Sequence, residues 1–362
     1  MTHSLPASPP ASLPAQLHIA VIGAGIAGLA CAQALVAAGA LVQVFEKSRG
    51  VSGRMSTRKG EGWQCDHGAQ YFTARDPAFR AEVQRWINAG AAALWAPEVR
   101  VYDSAKADGF TSPFGSVDRF VGTPGMTAPG RLLAENLSVR CNATVDSLQR
   151  KDGRWLLHIA EGGPLETSFD IVLLAMPAPQ AGVLLRSLET PLLETPLLAV
   201  TQEVRMRAAW ALMLQLDAPL AADSADPDYP ADAAFVNSGP LRWVARDTSK
   251  PLRAGKQIWL LHATPQWSET HLEAPREEVA ADLLGAFADL GMVTASVEAI
   301  GSSANWTLHR WLYADTEQPL NRGCAWDADA GLGLCGDWLL DGKVEGAWRS
   351  GRHLAEVVAG EF

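Results

Sequence analysis

Apolar positions near the N-terminus follow a strand-like, then a helical, then again a strand-like pattern. Leu17–Ile22 and Leu41–Phe45 are apolar and rich in β-branched residues. Between them, Ile26–Ala38 is rich in Ala and Leu and contains one glycine. The turns between these segments are short, so the pattern predicts a β–α–β unit.

Strand-like runs recur in the middle of the chain, separated by Lys-Asp-Gly and Glu-Gly-Gly turns. The runs are Val139–Leu148, Trp155–Ala160 and Asp170–Ala175. We expect a β-meander whose last strand returns to the main sheet. Earlier in the chain, Asp76 precedes a proline and an apolar stripe at helical spacing, which predicts a capped helix.

Between Thr190 and Leu320 the pattern indicates a second, sheet-based domain with many tryptophans. The predicted elements are strands at Ala209–Leu216, Leu241–Arg246 and Gln257–His262 and a helix at Pro275–Leu290. The chain then closes with an apolar strand, Gly331–Cys335, and a helix from Glu345 to Val358.

Composition restricts the class of protein. The 362 residues are 48% hydrophobic and 19% charged, which is typical of a globular enzyme, and the net charge of −10 disfavours a nucleic-acid role. No apolar run reaches the roughly 18 residues of a membrane span, so we expect a soluble protein. Five cysteines without C-x-x-C spacing fit a reducing compartment. We therefore expect a cytoplasmic location and neither disulfides nor a metal site.

Candidate chemistry begins at Gly23-Ala24-Gly25-Ile26-Ala27-Gly28, which follows the first predicted strand and opens the first helix. In this G-x-G-x-x-G turn the first glycine permits the bend, the second admits a pyrophosphate, and the third allows helix-to-sheet packing. The helix N-terminus offers free N–H groups and a positive dipole. Glu46, at the end of the next strand, can accept the hydroxyls of an adenosine ribose. The unit is predicted to bind a dinucleotide.

Two further segments favour FAD over NAD, because both lie outside a minimal dinucleotide-binding unit. Gly50–Met55 combines small residues with Arg54, which can face a diphosphate. At the C-terminus, Gly336-Asp337 closes a strand and Gly342–Ala347 leads into a helix. The N-terminus of that helix can meet the far end of a long cofactor.

Together these segments resemble the renalase-like branch of the amine-oxidase-type flavoproteins. The resemblance is carried by Glu46–Arg54, Asp66–Phe72, Asp170–Pro177 and Gly336-Asp337. It implies an α/β fold with a Rossmann-type, p-hydroxybenzoate-hydroxylase-like FAD-binding domain and an inserted mixed-sheet substrate domain. The expected boundaries are 1–16 for a disordered tail, 17–75, 120–190 and 321–362 for the FAD-binding domain, and 76–119 and 191–320 for the substrate domain.

The resemblance also implies how FAD is held. The bond is expected to be non-covalent, because Cys335 precedes the C-terminal motif inside a strand. Ala69 and Gln70 would approach the flavin, the backbone of Val145 would read adenine, and Val344–Ala347 would present N–H groups to the pyrimidine edge of the flavin. The expected cofactor-binding residues are Gly23, Gly25, Ile26, Ala27, Gly28, Glu46, Lys47, Gly53, Arg54, Met55, Ala69, Gln70, Val145, Gly336, Asp337, Val344, Gly346 and Ala347.

A flavin performs redox chemistry itself, so no acid/base set is expected on the substrate side. The candidate catalytic residues are Gln70, Tyr71, Arg310 and Trp311, and Trp243, Asn305 and His309 are further pocket candidates. The aromatic rings could stack on a flat substrate, and Arg310 could meet an anionic group. Ordinary structural roles remain open as well: packing for the tryptophans, a surface ion pair for Arg310, and loop bracing for His67.

Three functions remain open. The resemblance implies an oxidase of 2- or 6-dihydro-NAD(P), the dihydronicotinamide isomers, which regenerates NAD(P)+ and reduces O2 to H2O2. An amine oxidase or desaturase-type enzyme would use the same FAD-binding frame with a different pocket. A non-enzymatic FAD-binding sensor is the third. A basic mouth would favour the first, and Arg242, Arg246, Lys250 and Arg253 form either such a mouth or a solvated face.

Overall fold

The structure is a computed structural model that describes residues 17–105, 110–111, 117–188, 195–216, 231–292 and 306–362. The chain divides into two compact units. The first comprises Met1–Gly53, Gly130–Arg205 and Gln318–Phe362, and the second comprises Arg54–Pro129 and Met206–Glu317. The predicted disordered tail and Asn305 lie outside the described residues.

The strands and helices are numbered along the chain. The strands are β1 (His18–Ile22), β2 (Leu41–Glu46), β3 (Thr57–Gly60), β4 (Trp63–Asp66), β5 (Ala92–Trp95), β6 (Val99–Tyr102), β7 (Phe110–Thr111), β8 (Arg119–Gly122), β9 (Ser138–Cys141), β10 (Val145–Lys151), β11 (Arg154–Ile159), β12 (Gly163–Phe169), β13 (Ile171–Leu174), β14 (Met206–Leu216), β15 (Ala233–Val236), β16 (Leu241–Arg246), β17 (Gln257–Ala263), β18 (Trp306–Thr316), β19 (Ala325–Asp327) and β20 (Leu332–Leu334). The helices are α1 (Ile26–Ala37), α2 (Pro77–Asn88), α3 (Ala128–Ala134), α4 (Ala178–Arg186), α5 (Leu197–Gln202), α6 (Pro265–Thr270), α7 (Arg276–Asp289) and α8 (Val344–Gly360).

The first unit is built on a six-stranded sheet with the order β19-β20-β13-β1-β2-β9, in which every neighbouring pair except β19-β20 is parallel. The central strands are buried on both faces, which explains why they read as continuous apolar runs. Helices α1 and α8 pack closely, because a Cβ on Gly351 would lie only 2.0 Å from the Ala27 carbonyl oxygen. Strands β10, β11 and β12 form a separate antiparallel sheet.

The second unit is built on a seven-stranded mixed sheet with the order β18-β14-β17-β16-β15-β6-β7. Successive residues of a strand point to opposite faces. On one face, Trp210 and Leu212 of β14 join a core that includes Phe287 of α7. On the other face, Ala211 and Met213 contact a smaller core that includes a residue of the β3-β4 hairpin.

The predicted α/β class, with a Rossmann-type unit and a mixed second sheet, is confirmed, as is the β–α–β unit. The meander is confirmed in part: it consists of β10, β11 and β12, of which β12 was not predicted, and the run Asp170–Ala175 returns to the main sheet as β13. The helix predicted after Asp76 is also confirmed, with Asp76 Oδ1 accepting from the N–H groups of Ala78 and Phe79. The single strand predicted at Val139–Leu148 is wrong. Asn142 has φ 51°, and this bend divides the run into β9 and β10, which belong to different sheets.

The predicted domain boundaries differ from the two units. Residues 54–75 and 120–129 lie in the second unit, because β4 packs on β17 and β8 pairs with β5. Residues 195–205 lie in the first unit, where α5 packs on α4. Strand β18 was not predicted, because polar and charged residues interrupt its apolar pattern. The roles assigned to the two units stay a prediction.

Candidate functional site

The turn after β1 is closed at two of its glycines and open at the third. A Cβ on Gly23, which has φ 109°, would lie 2.4 Å from the Ala175 carbonyl oxygen. A Cβ on Gly28 would lie 2.0 Å from the Gly23 carbonyl oxygen, whereas a Cβ on Gly25 would meet nothing within 4 Å. The turn therefore has free space in front of Gly25, where the backbone of a dinucleotide-binding turn approaches a diphosphate.

Helix α1 begins in this turn with Gly25 as its N-cap. In the described chain no side chain caps the helix, and its first turn has no acidic residue. The N–H groups of Ile26 and Ala27 are thus placed for an anion at the positive end of the helix. Ser52 crosses the turn, donating its N–H to the Ala24 carbonyl at 2.8 Å. Gly53, with φ 54°, follows close to Gly25.

Glu46 is fixed at the end of β2 and is almost completely buried. Its Oε2 accepts the N–H of Ala24 and its Oε1 that of Ser48, each at 2.8 Å. Each carboxylate oxygen can accept a second hydrogen bond, so ribose hydroxyls can still be bound. Val145 begins β10 nearby, because Ala143 donates its N–H to the Glu46 carbonyl oxygen at 3.0 Å. Lys47, also predicted at this site, is exposed.

The C-terminal motif forms a tight loop before α8. Gly336 donates its N–H to Ser350 Oγ at 2.9 Å, and Gly342 donates to the carbonyl of the buried Asp337 at 2.8 Å. Among the described residues, no side chain caps α8, which begins at Val344. A Cβ on Gly346 would lie 1.8 Å from Asp341 Oδ1, so this position has no space for a side chain. Ala347 completes the predicted set in the first turn of the helix.

Cys335, next to this motif, is buried as a free thiol. Its hydrogen bond with Cys31, together with burial, raises the pKa of the Cys335 thiol well above the ordinary value. The thiol is therefore neutral and packed inside the first unit.

Four predicted cofactor residues, Arg54, Met55, Ala69 and Gln70, lie in the second unit. Ala69 donates its N–H to the Arg54 carbonyl at 2.9 Å, and Arg54 Nη1 donates to the Ala314 carbonyl at 3.1 Å. The Gln70 side chain is buried. Its Nε2 donates to the Asp66 carbonyl oxygen, and its Oε1 accepts from Lys250 Nζ at 3.4 Å.

Asp66, Asp247, Lys250 and Arg253 form a completely buried ionic cluster in the second unit. Lys250 Nζ lies 2.6 Å from Asp247 Oδ1 and 3.2 Å from Asp66 Oδ2, and Arg253 Nη2 lies 2.5 Å from Asp66 Oδ2. Burial acts to raise the pKa of Asp66, but the charges of Lys250 and Arg253 outweigh it and lower that pKa to about 2. For Asp247, burial prevails and the pKa is raised.

Both predictions for Lys250 and Arg253 are therefore wrong: they neither line a basic mouth nor lie on a solvated face. Both side chains are buried against two carboxylates, which satisfies their charge inside the fold. The two remaining arginines are also paired, Arg242 with Asp315 and Arg246 with Asp232. Sequence reasoning did not single out Asp247. The available signal was its spacing of three residues before Lys250, which suits an ion pair within a turn.

Two groups of aromatic side chains lie in the second unit. In the first, the Tyr71 ring centroid lies 5.6 Å from that of Trp243 and 6.3 Å from that of Trp95, which was not predicted. Arg119 Cζ lies 5.3 Å from the centre of the Tyr71 ring. Tyr71 and Trp243 are thus brought together as predicted pocket residues, although Trp243 is almost completely buried.

The second group combines His67, His309 and Trp311. The His67 ring is stacked on Trp311 with centroids 5.3 Å apart and lies 4.8 Å from His309. Trp311 Nε1 donates to the His67 carbonyl at 2.9 Å, so His67 braces its loop mainly through its backbone. Burial lowers the pKa of His67 to about 3 and that of His309 to about 4, so both imidazoles are neutral near pH 7.

Arg310 does not join this group. Its Nη1 lies 3.1 Å from Glu273 Oε1, and its Cζ lies 5.8 Å from the ring centre of Trp210, on the other face of the sheet. The prediction that Arg310 and Trp311 line the same pocket is therefore wrong, because adjacent residues of a strand point to opposite faces of the sheet. The surface ion pair is the arrangement that the structure shows.

The fold and the glycine turn define a Rossmann-type dinucleotide-binding protein. The NAD(P)-binding Rossmann-like domain profile matches residues 21–86, and the flavin-containing amine oxidoreductase profile matches residues 86–359. The chain belongs to the flavin-containing amine oxidoreductase family, and FAD is its cofactor.

Similar structures cover nearly the whole chain. A triple mutant of putrescine oxidase matches with a TM-score of 0.71 and 15% identity, covering 96% of this chain and 99% of that chain. Cyclohexylamine oxidase from Brevibacterium oxydans IH-35A matches with a TM-score of 0.69 and 13% identity, covering 98% and 99%. At these identities the likeness concerns the fold.

Curated relatives match over short segments. The 4,4'-diapophytoene desaturase of Staphylococcus haemolyticus is 50% identical over 52 residues, which are 14% of this chain and 10% of the relative. The L-amino-acid oxidase of Siganus canaliculatus is 38% identical over 65 residues, 17% of this chain and 12% of the relative. The match thus spans about a tenth of the length of these relatives.

The described residues contain no group of three or more His, Cys, Asp or Glu side chains arranged to hold a metal ion. None of the helices described is long and apolar enough to span a membrane.

Proposed function

We propose that this protein oxidises a small organic substrate by two electrons and passes those electrons to O2, which is reduced to H2O2. The observation that carries this proposal is the glycine turn, which is closed at Gly23 and Gly28 and open at Gly25. The uncapped N-terminus of α1 and the immobilised Glu46 fit the diphosphate and ribose of FAD. When bound, FAD supplies the acceptor for the hydride of the substrate.

The residues of the second unit would bind and orient the substrate rather than exchange protons with it. His67 and His309 are neutral near pH 7 and have low proton affinity, and the buried carboxylates are occupied by Lys250 and Arg253. Aromatic faces such as that of Tyr71 supply apolar contact and exclude water. The chain therefore suits a reaction in which hydride leaves the substrate without a strong protein base.

An amine-oxidase-type or desaturase-type reaction is the first candidate. It is supported by membership of the amine oxidoreductase family and by the similarity to amine oxidases and a desaturase. The aromatic group of Tyr71, Trp95 and Trp243 has a composition that can receive a protonated amine, since aromatic faces attract cations.

Oxidation of 2- or 6-dihydro-NAD(P) is the second candidate. The Asp66–Phe72 motif supports it through its resemblance to the renalase-like branch. Its specific structural support is the pair of Tyr71 and Arg119, which offers a flat ring and a cation at the same place. A dihydronicotinamide nucleotide carries both a flat ring and anionic phosphates.

The test is anaerobic mixing of the purified holoprotein with a panel of substrates while the visible flavin band is followed. The panel contains cyclohexylamine, putrescine, L-amino acids, and 2- and 6-dihydro-NAD(P). We expect one class to bleach the band, and air to restore it with one H2O2 formed per substrate oxidised. Bleaching by amines or amino acids alone selects the first candidate, and bleaching by dihydronucleotides alone selects the second. A flavin that no member reduces overturns the proposal.

A further inference from the structure

The register of the β3-β4 hairpin decides where Arg58 points. Arg58 is paired with Cys65, and Thr57 with Asp66. Opposed residues of an antiparallel pair share a face, and successive residues alternate. Arg58 therefore lies on the same face as Cys65, which packs on Ala211 of the large sheet. The hairpin carries the Arg58 guanidinium onto that sheet.

There the guanidinium meets an imidazole. Arg58 Nη2 lies 3.4 Å from His309 Nδ1. In the register of β14 and β18, His309 stands opposite Ala211. The His67 ring approaches His309 edge to face. Arg58, His309 and His67 thus converge on one place, which we call the Arg58 group.

Among the residues that the structure describes, the Arg58 group has no counter-ion. Within that part of the chain, the Arg58 guanidinium has one polar partner, His309, and no carboxylate pairs with it. This differs from Arg242, Arg246 and Arg253, each of which is paired with an aspartate.

The other groups that act on these imidazoles do not supply a free negative charge. Arg276, on α7, adds a positive charge that acts on His309. His262 also lowers the pKa of His67, but burial lowers its own pKa to about 3, so its ring is neutral near pH 7. Among the described residues, the acid that acts most strongly on His67 is Asp66, which is already held by Lys250 and Arg253. Among the described residues, no carboxylate therefore compensates the charge of the half-buried Arg58 guanidinium, which lies beside two imidazoles in a chain of net charge −10.

We infer that Arg58 and His309 form a binding site for one anionic group, a carboxylate or a phosphate. The planar guanidinium binds either group through two parallel hydrogen bonds, and His309 can donate a further one once it is protonated. That this anion belongs to the oxidised substrate rests on the function proposed above. Binding of the anion itself does not depend on that function.

Anion binding at Arg58 and His309 depends on pH. Burial, Arg58 and Arg276 lower the pKa of His309 to about 4, so the free imidazole is neutral near pH 7. A bound anion favours the imidazolium and raises this pKa. Binding is therefore coupled to proton uptake at His309, and the affinity for an anion increases as the pH falls below neutral, as long as the anion itself stays ionised.

The test uses holoprotein labelled with ¹⁵N in its histidines, with the His309 signals assigned by the His309→Gln variant. His309 is titrated between about pH 3 and 7, a range that spans its lowered pKa and the ordinary His pKa, in chloride-free buffer alone, with inorganic phosphate and with acetate. The matched pair of variants is Arg58→Met and Lys59→Met, because Lys59 is the exposed neighbour on the same strand.

In the wild type and in Lys59→Met, we expect phosphate, acetate or both to raise the pH at which His309 gains its proton. The stronger of the two identifies the anion. In Arg58→Met the anion-free midpoint should already be higher, because a neighbouring cation is gone, and the anion should shift it no further. Affinity for the anion should fall at least about tenfold in that variant, the worth of one charge-assisted hydrogen bond.

The readout separates two kinds of failure. If no substrate of the panel reduces the flavin while anions still shift His309, the proposed function fails and the anion site stands. If neither phosphate nor acetate shifts His309 in the wild type, the inference is overturned, whatever the flavin does. This wild-type titration is decisive even if Arg58→Met does not fold.

Discussion

Arg253 donates from Nη2 to Asp66 Oδ2 at 2.5 Å, and both side chains are completely buried. The same carboxylate accepts from Thr57 Oγ1 at 2.6 Å and from the N–H of Met126 at 3.0 Å. Asp66 is also the first residue of the Asp66–Phe72 motif. The motif singled out by the sequence is therefore anchored at its first residue by ionic and backbone contacts of the second unit.

Removing the charge of Asp66 should lower the free energy of unfolding. In Asp66→Asn, Lys250 and Arg253 keep one carboxylate between them, and breaking a buried ion pair costs about 3–5 kcal/mol. Asp247→Asn should cost less, since burial raises the pKa of Asp247 and disfavours its charge. Urea unfolding measures both. Glu98→Gln, which breaks an exposed pair with Arg100, is the control, with a loss of about 0–1 kcal/mol. Equal losses in all three variants would contradict the role of the cluster.

The glycine turn allows FAD binding and folding to be separated. Gly25 has φ −73°, which alanine adopts, and its Cβ would enter open space. Gly25→Ala should therefore keep the free energy of unfolding of the apoprotein within about 1 kcal/mol, while FAD affinity falls because the methyl group occupies the diphosphate approach. Gly28→Ala places a Cβ 2.0 Å from a backbone oxygen and should cost about 1–3 kcal/mol.

Flavin absorbance per protein and thermal unfolding of the apoproteins measure the two effects. If Gly25→Ala retained FAD as tightly as the wild type, the diphosphate would have to lie elsewhere. If Gly28→Ala were as stable as the wild type, the turn would have to relax around the new methyl group.

The elements that sequence could predict are those whose pattern is local. The β–α–β unit is predictable because parallel strands buried on both faces give apolar runs, and because Gly23 and Gly28 have steric requirements that sequence displays directly. Strand β18 has no such pattern, since one of its faces carries His309 and Trp311 and the other Arg310. The pairing of Lys250 and Arg253 with Asp66 could not be predicted either, because Asp66 is more than 180 positions away from both in sequence. Whether a basic side chain lines the mouth of a pocket or is buried in an ion pair depends on its partners in the tertiary structure and not on the local sequence.

Stability should fall in mild acid, before the carboxylates titrate. His67 and His262 have folded-state pKa values of about 3, lowered from 6.5 chiefly by burial. The unfolded chain takes up protons below about pH 6.5 and the folded chain does not, so stability is complete above that pH and is lost as the pH falls toward 3. Each of the two histidines can change the free energy of unfolding by at most about 1.4 kcal/mol per pH unit.

Urea unfolding between pH 7 and 4.5 checks this slope. His262→Asn should flatten it, because this variant removes one of the two rings whose pKa burial lowers. A stability that stays constant over this range would mean that the two buried rings are protonated in the folded protein.

Arg310 and Trp311 provide the last prediction, because they are adjacent in sequence and lie on opposite faces of the large sheet. Arg310→Ala removes a surface contact with Glu273 and should cost about 1 kcal/mol or less, with KM for the substrate unchanged. Trp311→Phe removes the hydrogen bond from Nε1 to the His67 carbonyl and disturbs the stack beside His309. It should cost about 1 kcal/mol and raise KM several-fold. Steady-state kinetics with the substrate found in the panel measure both variants. A raised KM in Arg310→Ala together with an unchanged one in Trp311→Phe would place the substrate on the α7 side of the sheet, against the proposed site.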